Sequence, residues 1–103
     1  MRHEIVFSPE AIEDLGNLKA NVRAAVDDAI ELHLRHEPTK TSRSRIKRLR
    51  GLSRPQFRLR VEDVRMFYDV TEDKVEILAI VPKDQVEQWL EKAGEPHEDS
   101  SAK

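Results

Sequence analysis

Between Phe57 and Val81 the chain alternates apolar and polar residues in successive runs parted by short acidic turns, and this stretch dictates an antiparallel meander. Phe57, Leu59 and Val61 alternate with Gln56, Arg58 and Arg60. Val64, Met66, Tyr68 and Val70 alternate with Arg65, Phe67, Asp69 and Thr71. Glu62-Asp63 and Glu72-Asp73 are the turns. A period of two sends neighbouring side chains to opposite faces. Connections this short join antiparallel strands only. Phe57, Leu59, Val61, Met66, Tyr68 and Val70 should therefore face a core, while Arg58, Arg60, Arg65, Phe67 and Asp69 share the other face. Val75–Val81 is apolar on both sides after Glu76, the mark of a central strand. Simple alternation puts its Leu78 and Ile80 on the open face.

The flanks supply helices and one more strand. His3–Phe7 reads as a strand. Ser8-Pro9-Glu10 is a helix start: a hydroxyl to cap free amides, a proline for the first turn, a carboxylate for the positive end. Ala11, Ile12, Leu15 and Leu18 form one apolar stripe, with Gly16 inside it. Asn21 is placed to cap a second helix, along which Val22, Val26, Ala29, Ile30, His33 and Leu34 recur at helical spacing until Pro38. The short link between them predicts an antiparallel hairpin. Ile46, Leu49 and Leu52, three apart, predict a helical turn pinned to the core. Asp84–Ala93 is a final helix whose Val86, Trp89, Leu90 and Ala93 should cover Leu78 and Ile80. The order is βααβββα. The expected fold is α+β: a four-stranded antiparallel sheet, the hairpin on one face and the C-terminal helix by the open face. Residues 1–93 make one domain, and the polar residues 94–103 an expected disordered tail.

Charge is distributed unevenly. Residues 39–61 hold Lys40, Arg43, Arg45, Lys47, Arg48, Arg50, Arg54, Arg58 and Arg60 with no acidic residue. The chain as a whole carries 18 basic and 20 acidic residues, so everything outside this window is acidic on balance. Such a segment fits phosphate, or else is a solvated loop without a partner. No cysteine is present, which excludes disulfides and thiolate metal sites. No apolar run is long enough for a membrane span, and the N-terminus lacks the apolar stretch of a signal peptide. A cytoplasmic protein is expected. No His, Asp and Glu cluster has metal-ligand spacing, so neither a metal nor another cofactor is expected. His3, His33 and His36 map away from the basic face, and His97 to the tail, which argues against a histidine-pair nuclease.

Three segments together, Arg45-Ile-Lys-Arg-Leu-Arg-Gly-Leu52, Gln56-Phe-Arg-Leu-Arg-Val61 and Val64-Arg-Met-Phe-Tyr-Asp-Val70, resemble the RelE branch of the RelE/ParE toxin superfamily. The likeness runs from residue 3 to 92 and includes the Ser8-Pro9 helix start. It implies a toxin of a type II toxin–antitoxin pair, held in a heteromeric complex by a cognate antitoxin that covers the active face. Its targets would be the ribosome and mRNA. The implied reaction is metal-independent cleavage, in which a ribose 2′-hydroxyl attacks the adjacent phosphate and leaves a cyclic phosphate. A base at the hydroxyl and cations on the phosphate carry such a step.

Carried over residue by residue, Arg65 matches the family's phosphate-binding sheet arginine, and Arg58 falls at a basic strand position. Lys47, Arg48 and Arg50 match a basic turn that binds RNA. Arg60 joins them on the open face, where Phe67 could stack on a base or instead pack beneath the last helix. Gln56 stands where well-known members have lysine. Pro82-Lys83-Asp84 replaces their Gly-Lys-Arg, and Trp89-Leu90 occupies the place of their catalytic tyrosine. Lys83 is then the one candidate base beside the cleft, because arginine keeps its proton; its other reading is a surface lysine at a helix start. Arg65, Lys83 and Arg58 form the expected catalytic set. A ParE-like gyrase inhibitor, and a non-catalytic antitoxin- or RNA-binding module on the same fold, stand as alternatives.

Overall fold

A computed structural model describes residues 2–96. Its centre is the expected meander: β4 (Phe57–Val61), β5 (Val64–Val70) and β6 (Lys74–Pro82). β4 and β5 pair with Arg58 opposite Phe67 and Arg60 opposite Arg65. β1 (Glu4–Phe7) lies on the far side of β6, and β2 (Ile46–Arg48) on the far side of β4. The sheet therefore has five strands in the order β1-β6-β5-β4-β2, where four were expected. It is mixed, because β1 runs parallel to β6. Alternation reports which face a residue takes but not strand direction, and a crossover through helices can join parallel strands as a tight turn cannot.

The helices α1 (Pro9–Gly16) and α2 (Ala20–Ala29) follow β1, and a π turn over Ile30–Leu34 extends α2. The N-cap of α2 is Lys19 rather than Asn21, and it makes no side-chain cap hydrogen bond. Ala11, Val26, Ile30 and Leu34 bury against Phe57, Leu59, Val61, Met66, Tyr68, Val75 and Ile77. This core is the one the alternation of β4 and β5 predicts. Tyr68 is fully buried in it and donates its hydroxyl to the Pro38 carbonyl at 2.7 Å. Burial holds that phenol protonated far above its usual range.

β6 departs from simple alternation. Its register against β5 shifts between Phe67 and Tyr68, which pair with Ala79 and Ile77, so Leu78 is the extra residue of a bulge. One extra residue reverses the phase beyond it. Ile80 consequently enters the main core, while Ala79 and Val81, not Ile80, meet the last helix. The polar groups freed at the bulge are met by α1 and the residue that caps it. Ser8 donates its hydroxyl to the Leu78 carbonyl at 2.9 Å and accepts the Ala11 N–H at 3.1 Å. Asp14 accepts the Ile80 N–H at 3.0 Å.

Desolvation raises the Asp14 carboxyl pKa above its ordinary value, with the Ile80 N–H opposing the shift and Glu10 and Glu13 adding to it. The folded protein then holds this proton more tightly than the unfolded chain. The group's contribution to stability is greatest in acid and declines as pH rises through the folded-state pKa. Asp14→Asn keeps an acceptor for Ile80 and should abolish that decline. Asp14→Ala should cost roughly 1 kcal/mol at neutral pH by orphaning the N–H. Urea unfolding from pH 3.5 to 7 checks both, and an Asp14→Asn protein with an unchanged pH profile would refute the assignment.

The basic segment also differs from expectation. Ile46–Arg48 is an edge strand rather than a helical turn, and Gly51 (φ +77°) turns the chain into β3 (Leu52–Arg54). In a strand a spacing of three changes face. Ile46 accordingly buries in the main core, and Leu49 packs on the opposite cluster. A short 3₁₀ turn, Lys83–Gln85, leads into α3 (Val86–Ala93). Beyond it β7 (Glu95–Pro96) pairs with β3, at the start of the expected tail; residues 97–103 of that tail, His97 included, lie outside the described residues. Among the described residues no helix is long and apolar enough to cross a membrane.

Candidate functional site

The open face of the sheet is divided into three zones. α3 covers the middle. Phe67, Ala79 and Val81 are buried there under Leu49, Val86, Trp89 and Leu90. Phe67 is 0% exposed and stacks on Trp89, with ring centroids 4.7 Å apart at 14°. This corrects its expected role as a platform for a base: the aromatic partner is the protein's own indole. Trp89 in turn donates Nε1–H to a Glu10 carboxylate oxygen at 2.8 Å, tying α3 to the start of α1.

One end of the face is neutralised. Arg54 pairs with Asp69 and with Glu76, each at 3.3 Å. Asp69 also accepts the Gln56 N–H at 2.8 Å, and the Gln56 side chain accepts the Val70 N–H at 2.9 Å. Burial is the main influence on Asp69 and raises its pKa, against the pull of the Gln56 N–H and Arg54. Arg54 thus serves the sheet, and Gln56, read as a missing charge, ties β4 to β5.

The other end is cationic. Lys47 stands opposite Arg58 across β2 and β4, and Arg60 opposite Arg65 across β4 and β5. Cross-strand partners share a face, so these four residues form one surface. Among the described residues none of them pairs with a carboxylate. Arg58 is half-buried, and its Nε lies buried with no hydrogen-bond partner. Desolvation first, then Arg65 and Arg60, push its pKa below the usual guanidinium value. Arg65 lies over the β4–β5 turn, donating through Nη1 to the carbonyls of Val64 and Glu62 at 2.9 and 3.2 Å. An unshielded group of guanidinium ions such as this suits an anion with several oxygens.

The remaining candidates are dispersed. Lys83 sits at the rim, 61% exposed, with its amine 3.6 Å from the Asp63 carboxylate and its N–H on the Asp63 carbonyl. Its charged partner is thus an acid. Arg48 is on the other side of the sheet from Lys47, its guanidinium 5.1 Å from the centre of the Phe57 ring. Arg50 is exposed in the turn before Gly51. Lys47, Arg48 and Arg50 therefore do not present one face; with Thr41, Ser42 and Leu49 they line a groove along the edge of β2. Arg45, not singled out from sequence, lines a second shallow groove with Ser44, Arg60 and Glu62, and its carbonyl accepts the Arg60 N–H. Its place beside Arg60 follows from the β2–β4 pairing, which the helical reading of that segment concealed. His33 is on the hairpin side, as expected, with Nε2 buried and unpartnered and its pKa lowered by desolvation and by Arg45. Among the described residues no group of His, Asp and Glu could hold a metal.

Residues 5–87 match the model of a family described as ParE toxin of the type II toxin–antitoxin system, parDE. Among solved structures, the chain is similar to RelE of the archaeal RelE–RelB complex from Pyrococcus horikoshii OT3: 20% identity, 81% of this chain and 97% of the other, TM-score 0.67. It is also similar to a chain of the RelBE2 toxin–antitoxin complex of Mycobacterium tuberculosis (25% identity, 80% and 99% covered, TM-score 0.61). The YoeB dimer of Staphylococcus aureus is a third such structure, at 18% identity, 79% and 97% covered and TM-score 0.57. No curated protein is detectably similar in sequence.

Proposed function

This chain belongs to the ParE toxin family of type II toxin–antitoxin systems, within the RelE/ParE superfamily, and from that premise we propose that it is a toxin acting on mRNA at the ribosome. The observation that carries the reading is the unpaired guanidinium group of Arg58, Arg60 and Arg65, with Lys47 beside it. In this reading Arg65 and Arg58 hold the scissile phosphate and stabilise the charge that builds as the 2′-hydroxyl oxygen bonds to phosphorus. Lys83 takes the hydroxyl proton as the free amine, after substrate has displaced Asp63 and the ammonium has given up its own proton to solvent. The 5′ oxygen leaves with a proton from solvent, and a cyclic phosphate remains. Arg60, Lys47, Arg48 and Arg50 hold the flanking RNA.

A cognate antitoxin, most simply an acidic amphipathic segment, would cover the same cations and form a heteromeric complex. The similar Pyrococcus horikoshii structure is a RelE–RelB complex, and the Mycobacterium tuberculosis one is a toxin–antitoxin complex. The affinity of that pairing should fall steeply with salt.

The name of the matching family supports a second reading, a ParE-like inhibitor of gyrase, in which the same face meets protein or DNA and no bond in RNA is cut. Primer extension on mRNA from a translating extract, run beside a gyrase supercoiling assay, separates the two. Breaks in ribosome-bound mRNA with supercoiling intact are expected. Blocked supercoiling with intact mRNA would overturn the ribonuclease reading, and inactivity in both assays would leave a binding module that has lost cleavage.

A further inference from the structure

The second helix of the hairpin does not end as an ordinary helix. After Ala29 it widens into the π turn over Ile30–Leu34, a form that occurs mostly as single turns and often where a residue has a task. Ile30 and Leu34 enter the core from this turn. His33, between them, is half-buried, and its Nε2 is buried with no hydrogen-bond partner. A neutral imidazole tolerates that place: it carries its one proton on Nδ1 and leaves Nε2 bare. An imidazolium must carry N–H on both nitrogens. One of them would then be buried where no acceptor meets it, a worse case than an unpaired neutral group.

The charges around the ring oppose a proton as well. Arg45, in the segment leading into β2, is the charged group that acts on it, after desolvation, and both lower its pKa. Arg48, another cation on the hairpin side, lies over the Phe57 ring. The acids beside His33 in its own segment are held by cations, Glu31 by Arg35 at 2.9 Å and Glu37 by Lys40 at 3.7 Å; His36 is exposed. β4 and β5 send apolar residues to this side, and their one titratable group here, Tyr68, gives its hydroxyl to Pro38. No free acid in this set balances an imidazolium. Arg45 also ties the ring to the sheet. Its carbonyl accepts the Arg60 N–H at 2.8 Å at one end of the β2–β4 pairing, and the Leu49 N–H meets the Gln56 carbonyl at 2.9 Å at the other. β2 is an edge strand of three residues, and beyond these bonds its anchor is Ile46, 3% exposed in the core.

We propose that His33 is a proton-operated latch for β2: the neutral ring lets Arg45–Arg48 close on the hairpin, and the protonated ring releases that segment while the rest of the sheet stays closed. Lys47 and the groove it lines with Arg48 and Arg50 go with β2. Acid therefore withdraws part of the cationic surface, whatever that surface binds, and the latch does not depend on the ribonuclease reading. The folded-state pKa is the lower one. The closed form is therefore fully favoured above the ordinary histidine value of about 6.5. It loses favour as pH falls from there through the folded-state pKa, because the released segment leaves His33 free to take a proton.

The test is amide exchange followed by NMR on the full chain, from about pH 5 to about pH 7.5 and corrected for intrinsic rates, with and without urea at about 1 M. The backbone amides of Arg60 and Leu49 should lose protection by up to about tenfold per pH unit below about 6.5, until the folded-state pKa is passed. Urea should leave them unchanged, the mark of a local opening, while amides in the middle of β5 respond to it as global unfolding requires. The carbon-bound ring protons of His33 should titrate below the ordinary histidine value, and Arg45→Gln should raise that midpoint. His33→Gln and His33→Phe should both remove the pH dependence at Arg60 and Leu49, and His36→Gln should keep it. Arg60 and Leu49 amides that follow β5 in both pH and urea would mean that acid unfolds the chain as a whole, and would overturn the latch. A His33 ring that titrates at or above the ordinary value, or a pH dependence that survives both His33 variants, would overturn it too. Should neither variant fold, the ring titration and the exchange of the unmodified chain still decide. No nucleic acid enters these measurements, so the latch and the proposed function fail separately.

Discussion

Exchanging Arg58 for methionine is expected to yield a protein that is harder to unfold and harmless to the cell that makes it. The two effects have one origin. Arg58 projects from the middle of β4 into a half-buried position, its Nε is buried without a partner, and the charges that act on it, Arg65 and Arg60, are of its own sign. A thioether chain of similar length keeps the packing along Phe67 and removes both penalties. Folding should gain roughly 1 kcal/mol, the scale of one unsatisfied polar group at a partly exposed site. Function should fall about 10²–10³-fold, as expected when a fixed donor to transition-state charge is lost. The measurements are the urea midpoint, growth on induction and cleavage of ribosome-bound mRNA. A less stable Arg58→Met would mean that the arginine has a structural partner, and a stable variant that remains toxic would move the site off the sheet. The same logic applied to Arg65 gives a smaller gain in stability, since its Nη1 already donates to two carbonyls.

What the sequence discloses is the part governed by period alone. β4 and β5 hold their alternation from end to end, so the core face and the cationic face were both legible, Arg58, Arg60 and Arg65 with them. The reading fails where a single residue resets the phase. The Leu78 bulge moves Ile80 from the open face to the core and gives its place to Ala79 and Val81. A bulge leaves no compositional mark here, because β6 is apolar on both sides. Charge density was likewise an incomplete guide to the site. Within the run of nine cations, Arg54 is bound by Asp69 and Glu76, and Arg48 crosses to the helical side over Phe57. Both outcomes depend on pairings between strands far apart in sequence, and no local pattern contains them. The β3–β7 pairing, which holds the segment after α3, is of the same kind: Glu95-Pro96 has no strand character of its own and acquires it from Leu52–Arg54.

Removing the Trp89 ring should be the most damaging single change to the open face. α3 has eight residues and buries no side chain completely, too short to persist without tertiary contacts. Its hold on the sheet is Trp89, stacked on Phe67 and bonded through Nε1 to Glu10, with Val86 and Leu90 around it. Behind it Gly94 is fitted closely: an added Cβ would stand 2.6 Å from the Leu90 carbonyl oxygen and 3.3 Å from Leu52. Trp89→Ala deletes the stack and uncovers Phe67, which is otherwise inaccessible. The expected loss is about 3 kcal/mol, the low end of the range for a large aromatic because the indole is itself partly exposed. Trp89→Phe separates the two contributions. It keeps a ring on Phe67 and loses only the bond to Glu10, so it should cost about 1 kcal/mol. Urea unfolding followed by far-ultraviolet dichroism, which does not depend on the lost indole, gives both values. Dye binding to exposed apolar surface should rise for the alanine variant and not for the phenylalanine one. Equal losses for the two would show that the Glu10 bond, and not the stack on Phe67, fastens α3 to the sheet.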